Sequence, residues 1–408
     1  MATRGGLFYI DRRSRQPAFS RRIWLHMKLL RRLFWSLATA VGTFVLALLC
    51  LAIVASVRFY SDRNQAISER PAATSSEAYP KVSEAERRSI AAEHPAYYSR
   101  RKEQTYLTLA EWAQVYSYNE FGDFLASGGR QTDFPFASAI QSFWSCYFLS
   151  LDKSKREEFN WPYNFVSWVI GINLTVEYGV KFAYENTVGR LTQSIAGSDT
   201  EADRFIARSW NNYAKTLYQT TWYHYPYFAD MQDIWRETAL FDYQFVRNAE
   251  RKIALSVSYL IKGSYAQLWL LSAEQKENQT FSVVHADNRK SLDDAGVKIL
   301  KELSGNRFLI ESERYDGFKT TLLKLLDRNV TFIEIMGHET IALGYLSKST
   351  AEPFSNSASV ETIDRRALFF HPDGYRYRVT LEARVNGLRE MLRRIKESGA
   401  RFEMIYDF

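Results

Sequence analysis

The feature that most constrains this chain of 408 residues is a run of 25 residues without a charged side chain, from Leu33 to Val57. As a helix that rises 1.5 Å per residue, such a run is long enough to cross a hydrocarbon core of about 30 Å. A cleavable signal peptide and a fully buried helix are the alternatives, but the apolar region of a signal peptide has only about 7–15 residues. The sequence therefore predicts a single transmembrane helix over residues 33–57.

The charge that precedes this run predicts its orientation. The chain has a net charge of +7, but residues 1–32 hold nine Lys and Arg residues against one Asp, so the other 376 residues carry −1. Basic residues favour the cytoplasmic side of a span, which predicts a cytoplasmic tail and an extracytoplasmic body, periplasmic if the source is a bacterium. An Arg-rich tail is also typical of mitochondrial transit peptides. The near-neutral body offers no electrostatic case for a nucleic-acid partner.

Three further segments follow the predicted span. Residues 58–96 are polar, as in a linker. Residues 97–275 have helical periodicity, and residues 91–250 hold 35 of the chain's 62 aromatic residues. Such an excess is typical of an aromatic-rich core, or of a surface that docks on lipid or on a partner protein. Residues 276–408 change to strand and helix patterns, which predicts a separate α+β domain.

An internal repeat organises this last segment. Residues 307–336 align without gaps on residues 377–406, and each copy has the pattern of a strand, a helix and a strand. Identical residues coincide at five positions, Arg314/Arg384, Gly317/Gly387, Leu322/Leu392, Phe332/Phe402 and Ile335/Ile405. Two tandem βαβ units are what a ferredoxin-like sheet requires. We therefore predict that the two copies form one ferredoxin-like domain.

Signatures of catalysis and of metal binding are absent from the sequence. It contains no GxSxG, HExxH, P-loop or GxGxxG motif, and its six histidines never fall at the spacing of metal ligands. Neither Cys50 nor Cys146 lies in a reactive or metal-binding pattern. We expect no cofactor and no metal site built by the protein.

A polar stripe is the first candidate for a chemical site. Asn173, Glu177, Lys181 and Glu185 recur every four residues along one predicted helix. Opposite charges at this spacing are typical of a solvated helix face. If the stripe is instead buried among aromatic rings, Glu177 and Glu185 become acid–base candidates, together with His224 from an aromatic cluster.

Four other polar side chains are candidates for binding a ligand or an anionic headgroup. They are Asn186, Arg190, Arg236 and Glu237. Nearby, residues 253–271 carry a single charge, that of Lys262. A lysine in the middle of a span costs about 2.5–3.5 kcal/mol on insertion scales, so a core or interfacial helix is favoured over a second span.

Four segments resemble a proteobacterial family of single-pass membrane proteins with no known activity. These segments are TYLTLAEW (105–112), FPFASAIQSFW (134–144), YENTVGRLT (184–192) and WRET (235–238). The resemblance implies a bacterial source and an inner-membrane location, and it implies no activity and no site residues.

These observations together predict a non-enzymatic binding or scaffold protein, anchored in the membrane, whose extracytoplasmic part engages lipid or a membrane protein complex. The alternative is an enzyme that acts on a lipid-linked or cell-envelope substrate through the carboxylates and the histidine named above. A third hypothesis makes the ferredoxin-like domain a small-ligand sensor or a dimerisation module.

Overall fold

The computed structural model describes residues 81–98, 106–154, 160–239, 243–272, 279–350, 354 and 360–406. These residues form a mixed structure in which most helices precede two antiparallel sheets. The helices are α1 (Glu84–Glu93), α2 (Pro95–Tyr98), α3 (Thr108–Ala126), α4 (Phe136–Lys153), α5 (Trp161–Tyr184), α6 (Arg190–Ala196), α7 (Glu201–Leu217), α8 (Tyr227–Glu237), α9 (Phe245–Ser272), α10 (Lys290–Asp293), α11 (Tyr315–Asp327) and α12 (Leu388–Glu397). The strands are β1 (Gln279–His285), β2 (Lys298–Leu303), β3 (Arg307–Glu313), β4 (Thr331–Ile335), β5 (Thr340–Ser347), β6 (Val360–Ala367), β7 (Tyr377–Arg384) and β8 (Arg401–Tyr406).

The two sheets have the same strand order. The first sheet runs β2-β3-β1-β4 and the second runs β6-β7-β5-β8, with antiparallel pairing throughout. In each sheet the two strands that flank a long helix, β3 and β4 or β7 and β8, are separated by one other strand. The offset of 70 residues seen in the sequence thus relates equivalent elements of two successive sheets.

The apolar residues of each strand alternate between two cores. One face of both sheets contributes to a shared core with α11 and α12, in which Phe318 and Met391 are buried. The opposite face of the first sheet is covered by α1 and α2, through Ile90 and Tyr97. The opposite face of the second sheet is covered by α3 and α4, where Trp112 is buried. This two-residue alternation is the expected result of side chains that point to opposite faces of a strand.

The remaining helices build outward from α3 and α4 as a helical layer. Helix α7 packs on α3, α5 packs on α4, and α9 runs along α6, α7 and α8. Gly122 on α3 allows the close approach of α7, since a Cβ atom there would lie 3.0 Å from the Cα of Asn211. Helix α7 itself begins with a capping box between Thr200 and Asp203.

A buried arginine ties the second sheet to the helical layer. Arg378 on β7 donates from Nε and Nη2 to Glu403 on β8, at 2.7 and 2.9 Å, and from Nη1 to Glu120 on α3, at 3.2 Å. Its guanidinium also lies 3.7 Å from the centroid of the Tyr116 ring. Because both carboxylates are withdrawn from water, each depends on this one cation for its charge balance.

The structure contradicts the predicted fold class. Within the described residues, no helix has the length and apolarity needed to cross a membrane; the basic tail 1–32 and the transmembrane helix predicted at 33–57 lie outside those residues. The two βαβ copies do not share one ferredoxin-like sheet, because each belongs to its own four-stranded sheet. Each copy pairs with two strands that precede it, and those strands lie outside the aligned residues. Residues 84–93 of the predicted linker form α1.

We expect Arg378→Met to lower the free energy of unfolding by about 3–5 kcal/mol, because it leaves two buried carboxylates without a cation. The matched control is Arg394→Met, since Arg394 forms an exposed ion pair with Glu390 and such pairs contribute about 0–1 kcal/mol. Urea unfolding followed by circular dichroism measures both. Equal effects of the two substitutions would contradict the role assigned to Arg378.

Candidate functional site

In the polar stripe predicted on α5, Asn173 is exposed, and the rest of the stripe faces the interior of the helical layer. It continues through a π-helical turn, Glu185–Gly189, that follows α5. Glu185 is only 2% exposed and Arg251 on α9 is 1% exposed. The two form a bidentate pair, with Nη1 donating to Oε1 at 2.6 Å and Nη2 donating to Oε2 at 2.7 Å. An Arg–carboxylate fork of this kind fixes direction as well as distance.

A second ion pair lies two turns before Glu185 on α5. The Nζ atom of Lys262 on α9 is 2.9 Å from Oε1 of Glu177, and the hydroxyl of Tyr118 donates to Oε2 at 2.6 Å. The Lys262 ammonium also lies 4.7–4.8 Å from the ring centroids of Tyr118, Trp210 and Tyr213. Burial lowers the pKa of Lys262. Burial alone would raise the pKa of Glu177, but the charges of Lys262 and Lys181 bring this pKa below its ordinary value.

Lys181 lies between these two pairs on α5. Its Nζ atom is 4.5 Å from the Trp210 ring centroid. Burial lowers the pKa of Lys181 to about 8, and the nearby positive charge of Lys262 adds to this effect although the Glu177 carboxylate opposes it. An amine with this pKa is partly neutral near pH 8, so burial of its charged form costs free energy in the folded chain.

Further charges extend the cluster toward α6 and α7. Arg247 on α9 donates to both carboxylate oxygens of Asp203, at 3.0 and 3.1 Å, and to the hydroxyl of Thr192 at 2.9 Å. Glu250 accepts from the same hydroxyl at 3.1 Å. We name this cluster the charge seam, defined as Glu177, Lys181, Glu185, Asp203, Arg247, Glu250, Arg251 and Lys262. Its four carboxylates balance its four cations.

The outer side of the same helices is apolar. We name it the apolar face, defined as the large apolar side chains of α5 and α9 that are exposed: Trp161, Phe165, Val166, Val169, Val176, Val180, Phe182, Phe245, Val246, Ile253, Val257, Leu260, Ile261, Tyr265, Leu268, Trp269 and Leu271. No charged side chain of α5, or of α9 from Phe245 to Leu271, is exposed. This polarity is the reverse of that of an ordinary surface helix, which turns its charges to water.

The catalytic candidates Glu177, Glu185 and His224 do not contact one another as a catalytic group would. Glu177 and Glu185 are each paired with a separate buried cation on α9. His224 lies in a short 3₁₀ helix beside the ring of Tyr223, at 4.6 Å between centroids. The structure shows no contact that joins His224 to either carboxylate.

The candidates for headgroup binding lie at the edge of the helical layer. Arg190 donates from Nε to Asn186 at 3.2 Å. Arg236 and Glu237 do not form a fork together, because Arg236 pairs with Asp233 and Glu237 pairs with Arg208. Among the residues that the structure describes, no group of three His, Cys, Asp or Glu side chains is placed to hold a metal ion.

Sequence reasoning did not assign the partners of the stripe. Arg247 and Arg251 are spaced four residues apart at the start of α9 and therefore form a basic stripe on one helix face. This basic stripe is the sequence signal that could have identified them as partners of the carboxylates. The amphipathic pattern identifies which residues share a helix face, but it does not show that two charged faces are turned toward each other.

Substitution by alanine at two helical glycines, ten residues apart, should change the free energy of unfolding in opposite directions. A Cβ atom at Gly189 would lie 2.4 Å from Oε2 of Glu185, whereas at Gly179 it meets no atom within 4 Å. We expect Gly189→Ala to destabilise the chain by about 2–4 kcal/mol, since it disrupts a buried pair, and Gly179→Ala to stabilise it by about 0.5–1 kcal/mol. Urea unfolding measures both, and a stabilising Gly189→Ala would contradict the geometry of the pair.

We expect Lys181→Met to raise the free energy of unfolding near pH 7 by about 1–3 kcal/mol, because burial disfavours the charged form of Lys181 in the folded chain and methionine removes that cost. The pKa of Lys181 is lower in the folded chain. The wild type therefore gains stability as the pH rises above about 8 towards the unfolded value of about 10.4.

The variant should lack this gain between pH 8 and 9.5, and Lys215→Met, at an exposed position on α7, should retain it. Urea unfolding across this pH range is the measurement. A wild-type stability that falls throughout the range would refute the prediction.

No protein-family model, curated protein or solved structure matches this chain. The resemblance of its four segments to a proteobacterial membrane-protein family stays a prediction.

Proposed function

We propose that this chain is a non-enzymatic binding protein that docks peripherally on a lipid bilayer through the apolar face of α5 and α9. The single observation that carries the proposal is the reversed polarity of these helices. Their charges lie in the seam, and their outer side exposes apolar groups such as Ile261 at 66% and Leu268 at 65%. Contiguous apolar patches of more than a few hundred Å² mark interaction sites in soluble proteins.

The dimensions of the apolar face suit a flat, extended partner. Helices α5 and α9 have 24 and 28 residues, which correspond to lengths of about 36 and 42 Å. The pairs Glu177–Lys262 and Glu185–Arg251 place the two helices antiparallel. An amphipathic helix that lies in the plane of a membrane buries its apolar face to a depth of about 5–10 Å.

Lipid fits this face better than a protein partner does because the face has few hydrogen-bonding groups. On α5, and on α9 from Phe245 to Leu271, the exposed polar side chains are Asn173, Ser264 and Gln267, apart from the aromatic ones. A protein interface carries about one hydrogen bond per 100–200 Å², whereas acyl chains require none.

Aromatic residues at one end of the apolar face also favour lipid. Because the helices are antiparallel, Trp161 at the start of α5 and Trp269 near the end of α9 lie at the same end. There, Tyr265 stacks on Trp222 with 5.1 Å between ring centroids. Trp and Tyr are enriched at the boundary between acyl chains and headgroups.

The charge seam supports a binding role rather than the enzymatic alternative. A general acid or base must reach a substrate proton within hydrogen-bond distance. Arg251 occupies both oxygens of Glu185. Tyr118 occupies Oε2 of Glu177, and the Lys262 ammonium lies 2.9 Å from Oε1. These carboxylates fix the helices in place and leave the apolar face to the partner.

A fluorophore attached to the apolar face tests this proposal in the full chain. We expect the label on Leu268→Cys, in a Cys50→Ser background, to shift to the blue when vesicles of phosphatidylcholine and phosphatidylglycerol are added. The same label on Leu323→Cys of α11, where the native side chain is 37% exposed, should not respond. Adding Ile261→Glu to the Leu268→Cys chain should weaken the vesicle affinity about tenfold or more, because an apolar contact of about 1.4 kcal/mol or more is lost.

An equal response at both labelled positions would show that binding does not use the apolar face. Absence of any response at position 268 would exclude the bilayer as its partner.

A further inference from the structure

A cleft of about 120 Å³ lies where the helical layer meets the second sheet. Helices α3 and α4 form one wall, and β6, β7 and the segment that follows β6 form the other. The apolar part of its lining includes Leu109, Ala113, Phe134, Ala139 and Phe369. Junctions between structural layers are common places for ligand sites, which combine apolar walls with a few fixed polar groups.

The polar part of the cleft is held in place by the chain. Glu120 accepts from the backbone N–H of Phe369 at 3.1 Å and from Arg378 at 3.2 Å. Burial raises the pKa of Glu120, although Arg378 opposes this effect. A carboxylate has about four lone-pair positions, so two protein donors leave Glu120 able to accept from a further donor. No rearrangement is needed for this, and preorganised groups cost little when they bind.

The charge of the lining selects against ions. The lining contains two carboxylates, Glu120 and Asp364, and two guanidinium groups, Arg366 and Arg378. Each guanidinium is already paired with a carboxylate, Arg366 with Asp364 and Arg378 with Glu120 and Glu403. A charged ligand would lose its hydration without gaining an unpaired counter-charge, so the cleft suits a neutral molecule.

The volume sets the size of the ligand. An engineered apolar cavity of about 150 Å³ binds benzene, which has six non-hydrogen atoms. This cleft of about 120 Å³ is smaller but opens to solvent, so it accommodates a molecule of about six or seven non-hydrogen atoms that partly protrudes. We propose that the cleft is a binding site for a neutral ring or short chain of this size that carries one hydroxyl or N–H donor, with Glu120 as the acceptor. This site is independent of the apolar face and of the proposed docking on lipid.

Phenol is a suitable probe, with toluene and benzoate as comparison molecules, each titrated into the full chain and followed by ligand-observed NMR. We expect saturable binding of phenol with a Kd of about 0.1–1 mM, which is reasonable for a ligand of seven non-hydrogen atoms. Toluene lacks the donor and benzoate carries a charge, so both should bind at least tenfold more weakly.

Variants of α4 locate the binding. Ala139→Phe fills the cleft and should weaken phenol binding at least tenfold, whereas Ala137→Phe, at an exposed position two residues away, should leave it unchanged. If Ala139→Phe does not fold, Ala113→Leu fills the cleft from α3 instead. A crystal structure of the wild type with phenol provides the same information without any variant.

Three results would overturn the proposal. They are the absence of saturable phenol binding to the wild type, phenol binding that persists when the cleft is filled, and benzoate binding as tight as that of phenol. Phenol located outside the cleft in a crystal would have the same consequence.

Discussion

Ion pairs buried between α5 and α9 determine which side of the helical layer faces outward. A carboxylate withdrawn from water without a partner costs several kcal/mol, so Glu185 must remain against Arg251 and Glu177 against Lys262. These two contacts fix the rotation of both helices about their axes. Because the charged side chains face inward, the apolar side chains on the outer side of each helix, such as Val180 and Val257, are exposed. The apolar face is thus a consequence of the charge seam, and the proposed docking on lipid follows from it.

The rest of the molecule holds this arrangement in place. Two sheets share a core with α11 and α12, and α3 and α4 cover the outer side of the second sheet. Arg378 fastens α3 to that sheet through Glu120 and Glu403, at the margin of the cleft proposed as a ligand site. The helical layer therefore has a rigid support on one side and its apolar face on another. A binding protein gains affinity from such a support, because its contact surface needs no ordering when it binds.

The sequence predicted the positions of the helices better than it predicted which of their faces are buried. Residues 253–271 are predicted as a core or interfacial helix, and they lie within α9, Phe245–Ser272. The stripe of Glu177, Lys181 and Glu185 is also visible, but periodicity alone favours a solvated face, whereas the structure buries it. Only contact with a second charged helix reveals this difference. The internal repeat was also visible in the sequence, but the strands that pair with each copy lie outside the aligned residues and could not be assigned from the repeat. The structure therefore has two sheets where one was predicted. The helix predicted at 33–57 lies outside the described residues.

The most direct test of the central claim is a nitroxide scan of α9 in the full chain bound to vesicles. Each position from 253 to 268 is labelled in turn, and its accessibility to oxygen is compared with that to a water-soluble nickel chelate. The reversed polarity predicts that oxygen accessibility peaks at residues 253, 257, 260–261 and 268 and that the nickel chelate is excluded from the same positions, with the helical period of 3.6 residues. If these positions stay accessible to the nickel chelate when vesicles are bound, the apolar face does not contact lipid and the account is contradicted.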